Sequence, residues 1–407
     1  MIRFIHTADI HLGVENYGTT DPKTGLNTRL LDFHRALQEC ITYAITNHVD
    51  FFLFCGDAYK TSTPTPTQQK LLLSSFLQLY QAKIPVVIVV GNHDNPFSFG
   101  KIHALDIFGD LPIDGFHVIN KPACITFNTA HGPISIVGVP WPTKAAYALT
   151  NQTITQHQVN EHITRTISTI IHDFAKNLDP AVPAILAGHL TMSSGMFSGS
   201  EKRAIHGNDP TFLPSSLAIA PFAYVALGHL HKHQIINPNG FPPIVYSGSL
   251  ERIDFGERAE TKGFCEIVLE NAQKTTVNFV PVNTRKFVQI DVKFENTTVD
   301  QTAHVIAAIK QLDIKNAVLK ITYQLQPGQK DLVDIKAVQL ACAPSHYVAG
   351  IQAIRPAVHK ERRSNAKVEM DFQTLMQEYF AQKPELNERR EALTKKIMSL
   401  KTELDNG

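Results

Sequence analysis

Five short polar clusters, each following a strand-like apolar run, constrain this chain more than any other feature: Asp9-Ile10-His11, Gly56-Asp57, Gly91-Asn92-His93-Asp94, Gly188-His189 and Gly228-His229-Leu230-His231. In open α/β sheets, ligands collect at the carboxyl ends of the strands. Clusters placed this way predict loops that gather at one edge of a layered structure. Glycine at such turns permits backbone angles closed to other residues, so a polar side chain can follow a buried strand directly. In Asp9-Ile10-His11 and His229-Leu230-His231, i to i+2 spacing on an extended segment puts both side chains on one side, so each pair can converge on one centre.

The intervening sequence supports a layered α/β architecture. Residues 2–8 read as a buried strand, Leu30, Phe33, Leu37, Ile41, Ala44 and Ile45 recur at helical spacing, and Val49 to Phe54 reads as a second strand. A helix over 67–82 precedes the apolar run 84–90, and further strands are predicted at 134–139, 183–187, 223–227, 244–247 and within 263–282. Helices alternating with strands imply crossover units. A second unit then begins: strand 287–293, helix 300–312, strand 317–323, helix 330–342 and strand 346–354, a small α+β domain. Past Arg355 the sequence turns rich in Lys, Glu and Arg. The predicted division is therefore 1–283, 284–355 and 356–407.

Composition excludes several classes. A chain of 407 residues with 43% hydrophobic and 18% charged residues is too apolar to be mainly disordered and long enough for more than one domain. Lys and Arg number 38 against 37 Asp and Glu, so there is no global positive field and any nucleic-acid contact must be local. The five cysteines, Cys40, Cys55, Cys124, Cys265 and Cys342, form no C-x-x-C pair, which argues against a disulfide framework or zinc ribbon and for a reducing cytoplasm. No secretory leader is expected from the opening residues, and no apolar run reaches the roughly 18–20 residues that span a bilayer.

The five clusters supply oxygen and imidazole donors suited to borderline divalent ions such as Mn, Fe or Zn. Asp9, His11, Asp57, Asn92, His189, His229 and His231 suffice for two ions if one carboxylate bridges them. Two cations about 3.5–4 Å apart can bind phosphate oxygens, activate water and stabilise charge on a departing oxygen. His93 is the candidate acid for the leaving group, since it follows Asn92 but projects elsewhere and imidazole titrates near working pH, and Asp94 is the candidate to orient it. Taken singly, these residues have plainer readings. Most of the 19 histidines, among them His34, His48, His103, His162, His172 and His233, are expected at the surface or satisfied in the core, and a lone Asp after a strand is commonly a turn or cap residue. The ordered set of five is what points to a site.

That ordered set resembles the calcineurin-like metallophosphoesterase superfamily, whose pattern is D-x-H, G-D, G-N-H-[DE], G-H and G-H-x-H. The superfamily includes phosphatases, nucleotidases and nucleases. Two further stretches, His6-Thr7-Ala8-Asp9-Ile10-His11-Leu12-Gly13 and Tyr246-Ser247-Gly248-Ser249-Leu250-Glu251-Arg252 with Lys262-Gly263-Phe264, resemble the SbcD family of DNA nucleases. The resemblance implies a layered β-sandwich core flanked by helices, a capping domain that recognises DNA, and C-terminal helices. It implies one metal held by Asp9, His11, Asp57 and His231 and another by Asp57, Asn92, His189 and His229, with manganese the usual ion. His93 assists transition-state stabilisation or leaving-group protonation. Lys60 stands where archaeal and eukaryotic relatives often carry a second histidine, and reads either as a cationic clamp or as a solvated loop lysine.

By the same resemblance, the activities are exonuclease action on duplex ends and endonuclease action on single strands and hairpins, in DNA repair, recombination and replication. The implied partners are DNA, an SbcC-type coiled-coil ATPase and a second copy of the chain, together a heterotetrameric SbcCD complex. The sequence has no G-x-x-x-x-G-K-[ST] phosphate loop, so an ATP-driven step needs another chain. Phe372, Leu375, Met376, Tyr379 and Phe380 form one apolar face, and Leu393, Ile397, Leu400 and Leu404 a coiled-coil-like seam, for partner docking or for packing back on their own domain. Lys360, Arg362 and Arg363 read as DNA contacts or as a solvated mixed-charge surface. The rival enzyme is a phosphomonoesterase or cyclic-nucleotide phosphodiesterase, although Ala58-Tyr59-Lys60-Thr61 lacks the Asp-Arg-Gly run of the protein phosphatases. The rival outside catalysis is a DNA-tethering scaffold that kept the fold.

Overall fold

The structure, a computed structural model, describes residues 1–95, 102–111, 113–143, 155–199, 209–271, 273–355, 372–381, 386 and 389–405. The chain opens with β1 (Ile2–Thr7), α1 (Thr28–Thr46), β2 (Phe51–Phe54), α2 (Pro66–Gln81) and β3 (Val86–Val89). A short α3 (Asp106–Asp110) leads into β4 (Phe116–Ile119), β5 (Ala123–Thr129), β6 (Gly132–Val139), α4 (Gln156–Asn177) and β7 (Ala184–His189). The short β8 (Thr191–Met192), β9 (Thr211–Phe212) and α5 (Pro214–Leu217) precede β10 (Phe222–Gly228), β11 (Gln234–Ile235) and β12 (Ile244–Tyr246). The hairpin β13 (Gly263–Asn271) and β14 (Lys274–Pro281) follows.

These strands form two six-stranded sheets, ordered β14-β13-β1-β2-β3-β4 and β11-β12-β10-β7-β6-β5. Strands β1 to β4 run parallel, as do β6, β7, β10 and β12, while β13 returns antiparallel on β1. The sheets face one another through Phe4, Phe51, Val87 and Ile267 of the first and Ile136, Ile185, Ala226 and Val245 of the second, all fully buried. Phe4 stacks on Phe51 at 4.4 Å, and Phe51 meets Phe127 of the opposite sheet edge-on at 5.6 Å. The outer face of the first sheet is covered by α1 and α2, and that of the second by α4. The result is a β-sandwich between helical layers.

Local signals explain the helices. In α1, Leu30, Phe33, Leu37, Ile41 and Ala44 make the buried stripe, and the Asn27 side chain accepts the Arg29 N–H at the N-terminus. Thr65 and Gln68 form a capping box ahead of Pro66 in α2, and Thr155 and Gln158 form another on α4. Helix α4 goes beyond the sequence expectation. Its composition is largely polar, but Ile163, Ile167, Ile171 and Ala175 recur every fourth residue and bury one narrow stripe. Strand β5 likewise lies outside the predicted elements, because its side chains alternate between half-buried and exposed and give no apolar run.

Beyond the sandwich lie β15 (Phe287–Lys293), α6 (Gln301–Lys310), β16 (Val318–Gln324), α7 (Ile335–Ala341) and β17 (Tyr347–Ile354). All three strands are parallel, joined through helical crossovers, and they enclose their own core of Ile290, Val292, Leu319, Ile321, Val305 and Val338. Arg285 fastens this unit to α1: its Nη2 lies 2.7 Å from Asp32 Oδ1 and its Nη1 donates to the Asn316 carbonyl at 2.9 Å. Tyr17, Phe255, Phe287 and Tyr347 pack around the junction.

Helices α8 (Phe372–Ala381) and α9 (Arg390–Asp405) close the described chain. Met376 and Phe380 are already buried by the chain itself, at 8% and 3% exposure, whereas Tyr379 and Leu400 are exposed and Leu393 and Ile397 half-buried. The side chains of Phe372, Leu375 and Leu404 lie outside the described side chains, and Lys360, Arg362 and Arg363 outside the described residues. Among the described residues, no helix is long and apolar enough to cross a membrane.

Candidate metal centre

The parallel strands β1, β2 and β3 of one sheet and β7 and β10 of the other all deliver their carboxyl ends to one edge of the sandwich. The loops there carry all five polar clusters. Backbone conformation, more than strand pleat, turns the side chains inward: Asp9, His11, Asp57 and His229 have φ of 54°, 50°, 60° and 103°. Such left-handed angles are uncommon outside glycine and cost on the order of 1–3 kcal/mol each, so the surrounding structure must impose them. This corrects two sequence expectations. Asp9 and His11 do not converge by alternation along an extended segment, and among Gly56, Gly91, Gly188 and Gly228 the positive φ falls on Gly56 alone, at 92°.

Two of those glycines serve close approach. A Cβ on Gly91 would lie 2.1 Å from Asp57 Oδ1, and one on Gly228 would lie 2.1 Å from the Cys55 carbonyl oxygen. Both positions therefore exclude a side chain, because the loops pack backbone to backbone at the sheet ends.

The buried side chains fall into two groups. Asp9, His11 and His231 present ligand atoms within 4.8 Å of one another, as do Asp57, His189 and His229, and the exposed His93 completes a third such set with His11 and Asp57. His11 Nε2 faces His231 Nε2 at 3.0 Å. On the other side, Asn92 Oδ1 lies 2.9 Å from His189 Nε2 and 3.1 Å from His229 Nδ1. Asp57 joins the groups, its Oδ2 being 3.7 Å from His11 Nε2 and 3.4 Å from His189 Nε2. His93, exposed at the mouth, stands with its ring centroid 5.0 Å from that of His11.

The electrostatics call for positive charge. Burial, reinforced by the neighbouring Asp57, pushes the Asp9 carboxyl up to about 7. Burial also opposes charge on His189, yet the Asp57 carboxylate outweighs it and raises the imidazole to about 9. Burial and the adjacent His231 hold His11 well below the usual imidazole range. Two buried carboxylates, facing imidazole nitrogens and an amide oxygen are a donor set that fits divalent cations.

Several supporting residues are not legible from the motifs. His189 donates from Nδ1 to the Cys55 carbonyl at 2.7 Å, which leaves Nε2 as the donor atom turned to the site. His231 Nδ1 is 3.0 Å from Glu257 Oε1, and His229 Nε2 is 3.5 Å from Asp209 Oδ2. Trp141, the single tryptophan of the chain, lies over His229 with ring centroids 4.7 Å apart. Nothing in the spacing of these residues marks them.

Asp94 is the clearest correction. The sequence places it beside His93 as an orienting group, but its carboxylate is taken up by the backbone N–H groups of Asp57, Ala58 and Gly91 at 2.8, 2.9 and 3.0 Å. It clamps the Gly56-Asp57 loop to the Gly91 loop. His93 is oriented by Lys60, through the Lys60 backbone carbonyl 2.7 Å from His93 Nδ1, while the Lys60 side chain is exposed. His34 and His233 sit apart from the site, His34 near Ser75 and His233 stacked on Phe279.

The calcineurin-like phosphoesterase family matches residues 2–233, which contain all five clusters. The chain belongs to that family. The family's use of divalent metals agrees with the clustered donors of this calcineurin-like phosphoesterase. It is 26% identical over 277 residues to the SbcD subunit of the SbcCD nuclease of Bacillus subtilis (strain 168), an alignment covering 68% of each chain. Among solved structures, a dimetal phosphatase from Danio rerio aligns with a TM-score of 0.39 at 10% identity, over 68% of this chain and 98% of that one. A protein of Thermus thermophilus aligns with a TM-score of 0.38 at 13% identity and the same coverage.

Proposed function

We propose that this phosphoesterase is a DNA nuclease subunit of the SbcD type, hydrolysing phosphodiesters with two divalent ions, manganese in the first instance. The observation that carries the proposal is the placing of Asp57 between two donor groups, with one oxygen within 3.7 Å of a histidine from each. In this reading Asp9, His11, Asp57 and His231 hold one ion, and Asp57, Asn92, His189 and His229 the other. Bound there, the ions supply Lewis acidity toward the phosphate oxygens and activation of the attacking water.

The chain's own groups do the rest. His93 has its Nδ1 engaged by the Lys60 carbonyl, which leaves its other ring nitrogen to donate a proton to the leaving oxygen. Asp94 acts as a positioning residue that keeps the Asp57 and Asn92 loops in register. Residues 1–283 form the nuclease part, 284–355 the part that receives DNA, and 356–407 the docking part for an SbcC-type ATPase. Within that docking part Tyr379 on α8 and Leu400 on α9 are exposed, while Met376 and Phe380 are already covered. Likeness to a subunit of the SbcCD nuclease supports DNA as substrate and such a partner, and assembly as a dimer within that complex is part of the same proposal.

The test is cleavage of blunt duplex, hairpin and single-stranded DNA with Mn²⁺, run beside a chromogenic phosphomonoester and a cyclic nucleotide. Hydrolysis of the DNA substrates well above the small esters supports the proposal. Turnover of the small esters alone would reassign the same centre to a phosphomonoesterase or cyclic-nucleotide phosphodiesterase.

A further inference from the structure

The Gly228-His229-Leu230-His231 motif accounts for which imidazoles reach the site, but not for what aims them. Glu257 lies on a single 3₁₀ turn (Phe255–Glu257), 26 residues beyond His231. Its Oε1 is 3.0 Å from His231 Nδ1, so the ring donates that proton and turns the Nε2 lone pair toward Asp9 and His11. Its Oε2 accepts the Ile253 N–H at 3.0 Å and lies 2.9 Å from Lys262 Nζ. Lys262 also donates to the His231 carbonyl at 3.0 Å and pairs with Glu260 at 2.8 Å. The Glu257 and Lys262 side chains are each 1% exposed.

A buried ion pair is seldom a gain in stability over apolar residues of the same volume, because both charges lose their hydration. This one grips His231 at two points, ring and carbonyl. The second donor group is held differently. His189 is aimed by a backbone carbonyl, that of Cys55, and His229 has Asp209 beside its Nε2.

We infer that Glu257, with Lys262 as its fixed counter-charge, is the positioning residue that sets the tautomer and direction of His231, and so the cation affinity of the Asp9–His11–His231 group alone. The inference rests on the metallophosphoesterase reading of the site. Because the imidazoles of the other group are backed by other residues, His189 by the Cys55 carbonyl and His229 by Asp209, the effect is one-sided: one site responds to Glu257 and the other does not.

The experiment is calorimetric titration of the metal-free full chain with Mn²⁺, comparing wild type, Glu257→Gln, and the double variant Glu257→Leu/Lys262→Met. The double variant leaves neither buried charge alone but strands the Ile253 N–H and takes a donor from the His231 carbonyl, so its metal-free unfolding midpoint is expected below the wild-type value and serves to show that the protein is folded. In both variants one binding event weakens by about 10- to 100-fold while the other keeps its affinity. As a second readout, ¹⁵N-histidine NMR of the metal-free protein, with His231 assigned through His231→Gln, shows the Nδ1–H tautomer in wild type and its loss in the double variant. Two wild-type binding events with both affinities unchanged in a folded double variant overturn this inference alone. A wild type that takes up no Mn²⁺ overturns the proposed function and this inference together.

Discussion

Asp57 Oδ1 accepts the backbone N–H of His93 at 2.8 Å, so the carboxylate shared by both donor groups also fixes the loop that carries Asn92 and His93. One side chain thereby ties the two buried donor groups to the loop that carries His93. For Asp57→Asn, we expect loss of both Mn²⁺ ions and a fall in DNA cleavage on the order of a thousandfold or more. Metal analysis and a Mn²⁺-dependent nuclease assay on the purified variant check this. Wild-type cleavage by that protein would remove Asp57 from the chemistry.

His93 is exposed and its ring hydrogen-bonds a loop carbonyl, yet it also offers a ring nitrogen within 4.8 Å of donors on His11 and Asp57, so proton donation and metal holding are told apart by experiment. His93→Ala is expected to keep near-normal metal content while turnover drops by roughly 10²- to 10⁴-fold. Comparing metal stoichiometry with single-turnover rates decides between the roles. Depletion of metal in parallel with rate would make His93 a ligand.

Gly91→Ala places a methyl group where the Asp57 carboxylate already is, 2.1 Å from its Oδ1. The carboxylate or the loop must shift, at about 1–3 kcal/mol of stability, and Mn²⁺ affinity should fall with it. Thermal unfolding with and without Mn²⁺ reads both effects. An unaltered midpoint in either condition would show that the loop relaxes without cost.

Acid should loosen the attachment of the three-stranded unit. Burial alone would raise the Asp32 carboxyl, but the hydrogen bonds from Arg285, with Arg29 and Arg35 beside it, outweigh burial and hold it below the ordinary carboxylate range. A depressed folded pKa contributes stability that is fully present above the unfolded value of about 3.9 and lost as pH falls through the lower folded value. Unfolding midpoints measured from neutral pH down to about pH 2 should therefore drop more steeply for wild type than for Asp32→Asn. The variant itself, which leaves Arg29 and Arg285 short of a buried partner, should lose on the order of 3–5 kcal/mol at neutral pH. Parallel acid profiles for the two proteins would mean that Asp32 carries none of this dependence.

The clusters at the sheet ends are legible in the sequence because their chemistry is local: Asp9 and His11, or His229 and His231, stand within one turn of each other and only a cation-binding site readily explains both pairs. The sandwich is legible for a related reason, since runs such as Phe51–Phe54 and Phe222–Gly228 are buried along their whole length. Glu257 escapes notice because its partner His231 is brought to it by the fold, across a segment with no periodicity. Asp94 misleads for the opposite reason. Adjacency to His93 suggests contact, whereas the loop turns the carboxylate back onto the N–H groups of Asp57 and Ala58. Helix α4 leaves a trace, the fourfold recurrence of Ile163, Ile167, Ile171 and Ala175, that a polar composition conceals.

The two fully buried donor groups each draw from both halves of the sandwich. Asp9 and His11 follow β1 in one sheet while His231 follows β10 in the other; Asp57 follows β2 while His189 ends β7 and His229 follows β10. Neither half alone can assemble either of these two groups, and the first sheet is itself finished only by β13 and β14, which follow every strand of the second in the sequence. Both groups therefore depend on the closed sandwich and on neither sheet by itself, so whatever pries the sheets apart takes the centre apart with them.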